Sequence, residues 1–423
     1  MLRILIAAVI FILTLTVIII RPYRIPESIA AAVGAALMLL GGFVGLHEAW
    51  SVISAQWNLY GFFLGLMAVS ALADQAGIFD MLALQAGRWA RGRALRLYVA
   101  IFAIGVLITA FLSNDASALI LTPIVYALVT RLRLPVMPFM FACTFIANTA
   151  SFVLPVSNPI NILILDSFSQ GLGTFLRYLL LPSLLGILFN ISVFVLLFHH
   201  DLDLSYKLDE LPPAKNADPR LLRYSGMVLL LLGVGYVVAS SLEIPLAFVA
   251  LSGALLLLCG SIMFHHFELK HLREEISWSL FIFVTGMFLV IRGVENAGLT
   301  AVFGNFLLQF SATSQLSGIL AVAGGTALGS NLINNLPMAL VIVSSLSNTQ
   351  TAPLLHQMLV FAAILGADLG PNLTIVGSLA AMLWLLLLRR KGLDVSTLEY
   401  FKLGMILVPV MIVGGSILIW LRL

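Results

Sequence analysis

Two short stretches set an acid among small polar residues inside long apolar runs: Leu112 to Ser117 reads LSNDAS, and Gly366 to Asn372 reads GADLGPN. The chain as a whole is 61% hydrophobic and 10% charged, so these runs read as membrane segments, with Asp115 and Asp368 the only acids placed near their midplane. An uncompensated charge at that depth costs about 2.5 to 3.5 kcal/mol on insertion scales, and no Lys or Arg is placed there to offset it. A carboxyl protonated in one state and released in another is what coupling to a proton gradient requires. Around the two acids stand Ser113, Asn114, Asn148, Thr149, Ser157, Asn158, Asn334, Asn335, Gly377 and Ser378. Their hydroxyls, carboxamides and freed backbone suit a small polar solute. The plain alternative is helix capping by Ser113 and Asn114, and neutral acids that merely hold a helix break together.

The polar positions are duplicated. Asn114 to Asn148 spans 34 residues, as does Asn334 to Asp368; Asn114 to Asn158 spans 44, as does Asn334 to Ser378. Longer segments repeat at nearly the same offset. IPESIAAAVGAALMLLGG from Ile25 resembles IPLAFVALSGALLLLCGS from Ile244 at 219, AGIF at Ala76 matches AGLT at Ala297 at 221, and IANTASFVLPVSN from Ile146 aligns with GADLGPNLTIVGS at 220. Polar groups that recur in this way inside a membrane usually mark a pathway.

The elements that position these residues follow from composition. A soluble domain carries roughly 25% charged residues, so soluble enzyme folds are excluded, and a net charge of +3 is too small to mark a nucleic-acid binder. Two cysteines, Cys143 and Cys259, make no disulfide framework, zinc site or three-thiolate cage. A span needs about 20 apolar residues. Ten full spans are expected, beginning near Ile4, Ser28, Leu59, Val136, Leu179, Met227, Leu246, Ser279, Leu354 and Lys402; the first is read as a retained span because its apolar run is long and lacks a cleavage site. Two apolar stretches remain, 97–130 and 316–346, each with matching flanks at both ends, and each is expected to be a re-entrant hairpin. Pro155, Pro159, Gly366, Gly370, Pro371 and Gly377 predict broken helices over 136–166 and 354–387.

This topology places 18 of the 22 basic residues on the cytoplasmic side: Arg21, Arg24, Arg88, Arg91, Arg93, Arg96, Arg131, Arg133, Lys207, Lys215, Arg220, Arg223, Lys270, Arg273, Arg389, Arg390, Lys391 and Lys402. Only Arg3, Arg177, Arg292 and Arg422 fall elsewhere, as the positive-inside rule requires, and both termini then lie outside. The expected fold is therefore an all-α polytopic membrane protein. Its first repeat is 1–200, its cytoplasmic linker 201–222 and its second repeat 223–423. Each repeat holds five spans, a hairpin and a broken helix. Five is odd, so the second copy is expected upside down relative to the first.

Other polar groups have plainer explanations. Glu295 lies three residues from Arg292, the spacing of a helical ion pair, and with Asp74 is read as structural. His199, His200 and the HHFELKH run from His265 sit at span ends, where a solvated face is the ordinary reading, and no metal site is expected. Cys143, five residues before Asn148, is read as a small apolar packer.

On AGIFDMLALQAGRWARGR from Ala76, FLSNDASALILTPIV from Phe111, FIANTASFVLPVSNPINIL from Phe145, NNLPMALV from Asn334 and, most specifically, ILGADLGPNLTIVGSLAAMLWL from Ile364, the chain resembles the ArsB-type arsenite efflux permeases of the ion transporter superfamily nearly end to end. It departs from the family pattern at Asn148, where an Asp is common, and at Pro159, which replaces an aliphatic residue. The resemblance implies a multi-pass protein of the cell (inner) membrane. It would export arsenite and antimonite as neutral trihydroxides against the proton gradient, without a cofactor, and sometimes with a soluble arsenite-stimulated ATPase docked on the cytoplasmic side. Arsenous acid is a triol, so oxygen and nitrogen donors suffice and thiolates are not required. A di- or tricarboxylate would meet two Asp and no midplane cation, which argues against the carboxylate-transporting relatives. No Walker A pattern is present, so the chain itself is not expected to hydrolyse ATP. Two rivals remain: a sodium/proton antiporter of the same superfamily, and, in another class, an intramembrane aspartyl protease, whose Tyr-Asp and Gly-x-Gly-Asp contexts this chain lacks.

Overall fold

A computed structural model describes residues 2–20, 25–211, 218–242, 244–347 and 351–422, and its regular elements are all helical. Arg21, Arg24, Lys215 and the middle of the linker lie outside the described residues. The first half contains α1 (Leu2–Ile20), α2 (Glu27–Leu40), α3 (Leu46–Ala55), α4 (Trp57–Gln75), α5 (Ile78–Trp89), α6 (Ala94–Phe111), α7 (Asn114–Ala116), α8 (Thr122–Arg131), α9 (Val136–Thr149), α10 (Pro159–Ser167), α11 (Leu172–Leu197) and α12 (His199–Leu202). The second contains α13 (Pro219–Ser241), α14 (Leu246–Met263), α15 (Leu269–Glu275), α16 (Trp278–Asn296), α17 (Leu299–Leu308), α18 (Gln315–Ile333), α19 (Asn335–Ser347), α20 (Pro353–Leu369), α21 (Leu379–Arg390) and α22 (Thr397–Trp420).

Helix breaks fall where the backbone cannot continue. A proline lacks the N–H that an interior helical turn needs, and α9 stops ahead of a single 3-10 turn, Pro155–Ser157, before resuming at Pro159 as α10. In the second half α20 gives way to 3-10 turns at Gly370–Asn372 and Ile375–Gly377 before α21. The turns between α6 and α7 and between α18 and α19 are equally tight: extended backbone at Ser113 in one, the single residue Asn334 in the other.

Close packing couples the halves in a reciprocal way. A Cβ on Gly65 of α4 would lie 2.7 Å from the Cβ of Ala250 on α14, and a Cβ on Gly286 of α16 would lie 2.9 Å from that of Ala31 on α2. Gly286 lies 221 residues after Gly65 and Ala250 219 after Ala31, the offsets at which the sequence segments align, and both contacts are of the same small-residue kind. Without a hydrophobic force between helices in lipid, such close backbone approach supplies the packing that joins them.

Burial separates inner from outer helices. The membrane-length window of α20 is 72% buried, whereas that of α11 is 33% buried and turns much of its surface to lipid. Among the described residues eight helices are long and apolar enough to cross a membrane, or nine if α3 and α4, bent by 49°, form one span. The expected tally of ten differs for a local reason. α2 and α9 have only 14 residues each and the apolar stretch of α1, Arg3–Ile18, also falls short, while α6 and α18, read from sequence as hairpin arms, are of spanning length.

Candidate functional site

Each polar residue of the first turn is held by its own local backbone. Ser113 caps α7 by accepting the Ala116 N–H at 3.1 Å, and Asn114 Oδ1 accepts the N–H of Asp115 at 2.9 Å. In the second turn Asn334 adopts φ 73° and ψ 154°, a region that favours glycine, and its amide donates to the Val376 carbonyl at 3.3 Å. A strained non-glycine residue of this kind persists only where its surroundings impose it.

The two breaks are joined across the repeat. Asn158 caps α10 by accepting the Ile160 N–H at 3.2 Å, and its Nδ2 donates to Asp368 Oδ1 at 2.5 Å. Ser378 caps α21 by accepting the Ala381 N–H at 3.1 Å, and its hydroxyl donates to Asn148 Oδ1 at 3.4 Å. Both members of the second pair sit 220 residues from their counterparts in the first. Asn148 donates in turn to Asn372 Oδ1 at 3.1 Å, and Thr149 Oγ1 accepts from Asn372 at 3.0 Å and from Asn190 of α11 at 2.8 Å. Ser157 donates to the Ala110 carbonyl at 3.2 Å. Asn148, Thr149, Ser157, Asp368, Gly377 and Ser378 are thus a buried block at the crossing of the breaks.

Above this block lies a cavity of about 560 Å³. Its walls include Phe63, Leu66, Met67 and Ser70 of α4, the hairpin residues Ser113 and Asp115, and Met382, Leu383, Leu386 and Arg389 of α21, with Glu275, Ser277 and Thr397 also on its lining. A recess of about 30 Å³ continues inward between Asn114, Asp115, Asn158, Asn334, Asn335 and Glu27. Asp115 is half-buried, lines both spaces and accepts the backbone N–H of Ala380, at the N-terminus of α21, whose positive dipole end complements a carboxylate. Asp368 is 1% exposed and lines neither space; Asn158, which touches it and also lines the recess, is the link between the two acids.

Outside the cavity lining, side-chain hydrogen bonds tie the ends of α4 to other helices. Asn58, in the first turn of α4, donates to Asp166 Oδ2 near the end of α10 at 2.7 Å and accepts the N–H of Ala247, at the start of α14, at 3.1 Å. At the far end of α4, Gln75 donates to the Glu268 carbonyl at 3.4 Å. The 17 residues from Asn58 to Gln75 rise about 25 Å along the helix.

Two charged residues join the lining beside those singled out from the sequence. Asp115 and Asp368 are not the only acids at the site, because Glu27 lines both spaces beside Asp115. Glu27 follows Pro26 at the start of the short α2, which begins against the recess. A basic residue is also present, since Arg389 lies on the cavity lining, paired with Asp394 at 3.4 Å. It stands nine residues from Ala380, about 14 Å along α21, so it belongs to the mouth and not to the depth of Asp115. Ser151, Asn161, Asn190 and Asn372 were missed. Ser151, Asn161 and Asn372 lie inside the motifs already quoted, and Asn190 is a lone amide in an apolar helix with no sequence signal. The Arg292 to Glu295 ion pair forms at 2.9 Å, and Cys143 is fully buried and absent from the cavity lining.

A largely apolar cavity that narrows onto polar residues at the helix breaks, carried on long apolar helices, is the arrangement of a multi-pass membrane transporter. The chain belongs to the family described as arsenical pump membrane protein, whose model matches residues 6–421. It is 33% identical over 415 residues to an arsenical pump membrane protein of Escherichia coli, covering 97% of each chain, and 32% identical over 415 residues to one from Yersinia enterocolitica, again 97% of each. Among solved structures it resembles the YdaH transporter of Alcanivorax borkumensis, with a TM-score of 0.57 and 14% identity over 87% of this chain and 85% of that one, a likeness of fold alone.

Proposed function

We propose that this protein is a secondary transporter that exports arsenite, and antimonite, as neutral trihydroxides coupled to the proton gradient. The observation that carries the reading is Asp115, half-buried where the cavity narrows and surrounded at that depth by carboxamides and a hydroxyl, with Arg389 the one basic residue on the lining among the described residues and distant from it. Such a lining can donate to and accept from three hydroxyls, and it offers an anionic cargo no cation at depth. The paired contacts Gly65 with Ala250 and Gly286 with Ala31 support two copies related by a pseudo-twofold axis in the membrane plane, which is the inverted repeat that alternating access uses.

The cavity opens toward Glu275, Arg389 and Thr397, the side that the basic residues assign to the cytoplasm, so this conformation is cytoplasm-open, with both termini outside the inner membrane. Arsenous acid would enter there and lodge among Ser113, Asn114, Asn158, Asn334 and Asn335, with Asp115 and Asp368 carrying the proton. Asn148, Thr149, Ser157, Gly377 and Ser378 would hold the two breaks in register behind it. Proton entry is worth about 2.3 kcal/mol per charge per 100 mV, enough to drive a neutral solute outward. A soluble arsenite-stimulated ATPase would dock on the cytoplasmic face. Aspartyl proteolysis is disfavoured because its two carboxyls share a proton, whereas here Asn158 occupies Asp368 Oδ1.

The test is arsenite uptake into everted membrane vesicles with an imposed proton gradient, then with a sodium gradient alone. Uptake that follows protons supports the reading; uptake that follows only sodium transfers it to the sodium/proton antiporter alternative, for which the small oxygen-lined recess is the supporting feature.

A further inference from the structure

The two spaces of the site differ in size and in chemistry. The recess, about 30 Å³, is walled by the carboxamides of Asn114, Asn158, Asn334 and Asn335 and the carboxyls of Asp115 and Glu27. One water needs roughly 10 to 15 Å³, so the recess seats two hydroxyls and leaves the rest of an arsenical outside it. The larger space, about 560 Å³, is largely apolar and has room for much more than an arsenic atom and one further oxygen.

The opening between them has two faces. Glu27 and Asp115 line both spaces, and so do Phe63 of α4, Pro159 of α10, and Leu280 and Phe283 of α16. With two hydroxyls of the cargo in the recess, a third hydroxyl finds the acids on one side of this opening. A hydrocarbon group in its place finds the rings on the other and gains by burial. A site built for a triol alone rejects a hydrocarbon by surrounding it with polar groups that are then left unpaired; the apolar face leaves none. Met67 and Met382, also on the wall of the larger space, are unbranched and adapt to substituents of different bulk.

We infer that the protein also carries trivalent arsenicals bearing one hydrocarbon group, RAs(OH)2 with R methyl or phenyl, the two hydroxyls in the recess and R against Phe63, Leu280 and Phe283. The inference rests on the arsenite-transport reading above and widens its cargo class. The bond from arsenic to carbon is unchanged throughout.

The probes are methylarsonous and phenylarsonous acids, offered to everted vesicles whose transporter carries Cys259→Ser, so that the exposed thiol does not capture them. Vesicle arsenic is measured under an imposed proton gradient, beside vesicles lacking the protein, which report passive entry of the apolar probes. Methylarsonous acid is expected to accumulate within a few-fold of arsenite. Phenylarsonous acid is expected to inhibit arsenite uptake at about a tenth of the concentration that unlabelled arsenite needs, because the ring adds buried apolar area. Phe283→Ser should lower the preference for the phenyl probe over arsenite by about tenfold, read as the ratio of the two inhibition constants, whereas Phe283→Leu, which keeps the apolar face, should hold that ratio within a few-fold. Failure of both probes to compete, accumulation no greater than in protein-free vesicles, or an equal ratio in Phe283→Ser and the parent would each overturn the inference. If arsenite itself is not taken up, the transport reading fails first and separately.

Discussion

Asn158 and Asp368, 210 residues apart in the chain, are joined by a single side-chain hydrogen bond, and the same bond recurs in weaker form between their repeat mates Ser378 and Asn148. The first version couples an amide to an acid, the second a hydroxyl to an amide. The members of the two bonds are offset by 220 residues, but their chemistry differs. Only one of the two crossings holds a titratable group.

Removing the donor should expose that asymmetry. Asn158→Ala leaves Asp368 Oδ1 without its partner, at a cost of about 1 to 3 kcal/mol, whereas Ser378→Ala disturbs only a long neutral bond. Gradient-driven arsenite uptake is expected to fall by more than tenfold in the first variant and by a few-fold at most in the second. Equal losses would mean that the crossing matters for packing alone.

The two acids should fail differently. Asp115→Asn and Asp368→Asn are both expected to abolish uphill export, but only Asp115, which lines the cavity, should also weaken arsenite binding. Binding to purified protein separates the two. Full arsenite resistance in cells carrying either variant would remove that acid from the coupling mechanism.

The contact made by Asn58 is predicted to break during turnover. Asn58 ties α4 and α14 to Asp166 of α10, away from the cavity lining. With the exposed Cys259 replaced by serine, Asn58→Cys together with Asp166→Cys, bridged by a short bifunctional thiol reagent, should stop uptake, while each single variant treated alike should not. Undiminished transport by the bridged protein would show that these elements do not separate.

Small residues at the reciprocal contact should tolerate no enlargement. A side chain on Gly65 or Gly286 meets neighbouring backbone within 2.6 and 2.7 Å respectively, so Val at either site is expected to cost about 1 to 3 kcal/mol. Thermal unfolding in detergent should show similar drops for both, because the contact is one motif used twice. A normal midpoint for either variant would mean that the helices part without penalty.

The thiol is expected to be dispensable. Cys143 is buried among apolar neighbours outside the cavity, so Cys143→Ser should keep most arsenite transport. An inactive but correctly inserted variant would restore thiolate ligation as a possibility.

Much of this arrangement was legible in the residues themselves. Apolar runs of about 20 residues declare the membrane, and prolines and glycines near 155–159 and 366–377 declare the breaks. These are local properties, set by backbone hydrogen bonding and by the cost of polar groups in hydrocarbon. What only the tertiary structure decided is which polar group meets which. Nothing local told that Asp115 would line the cavity while Asp368 lay beneath it, that Glu27 would join the recess, or that a lone Asn190 would reach Thr149. Those outcomes depend on how far helices from the two halves approach one another, a matter of glycine-scale packing that no single stretch of chain contains.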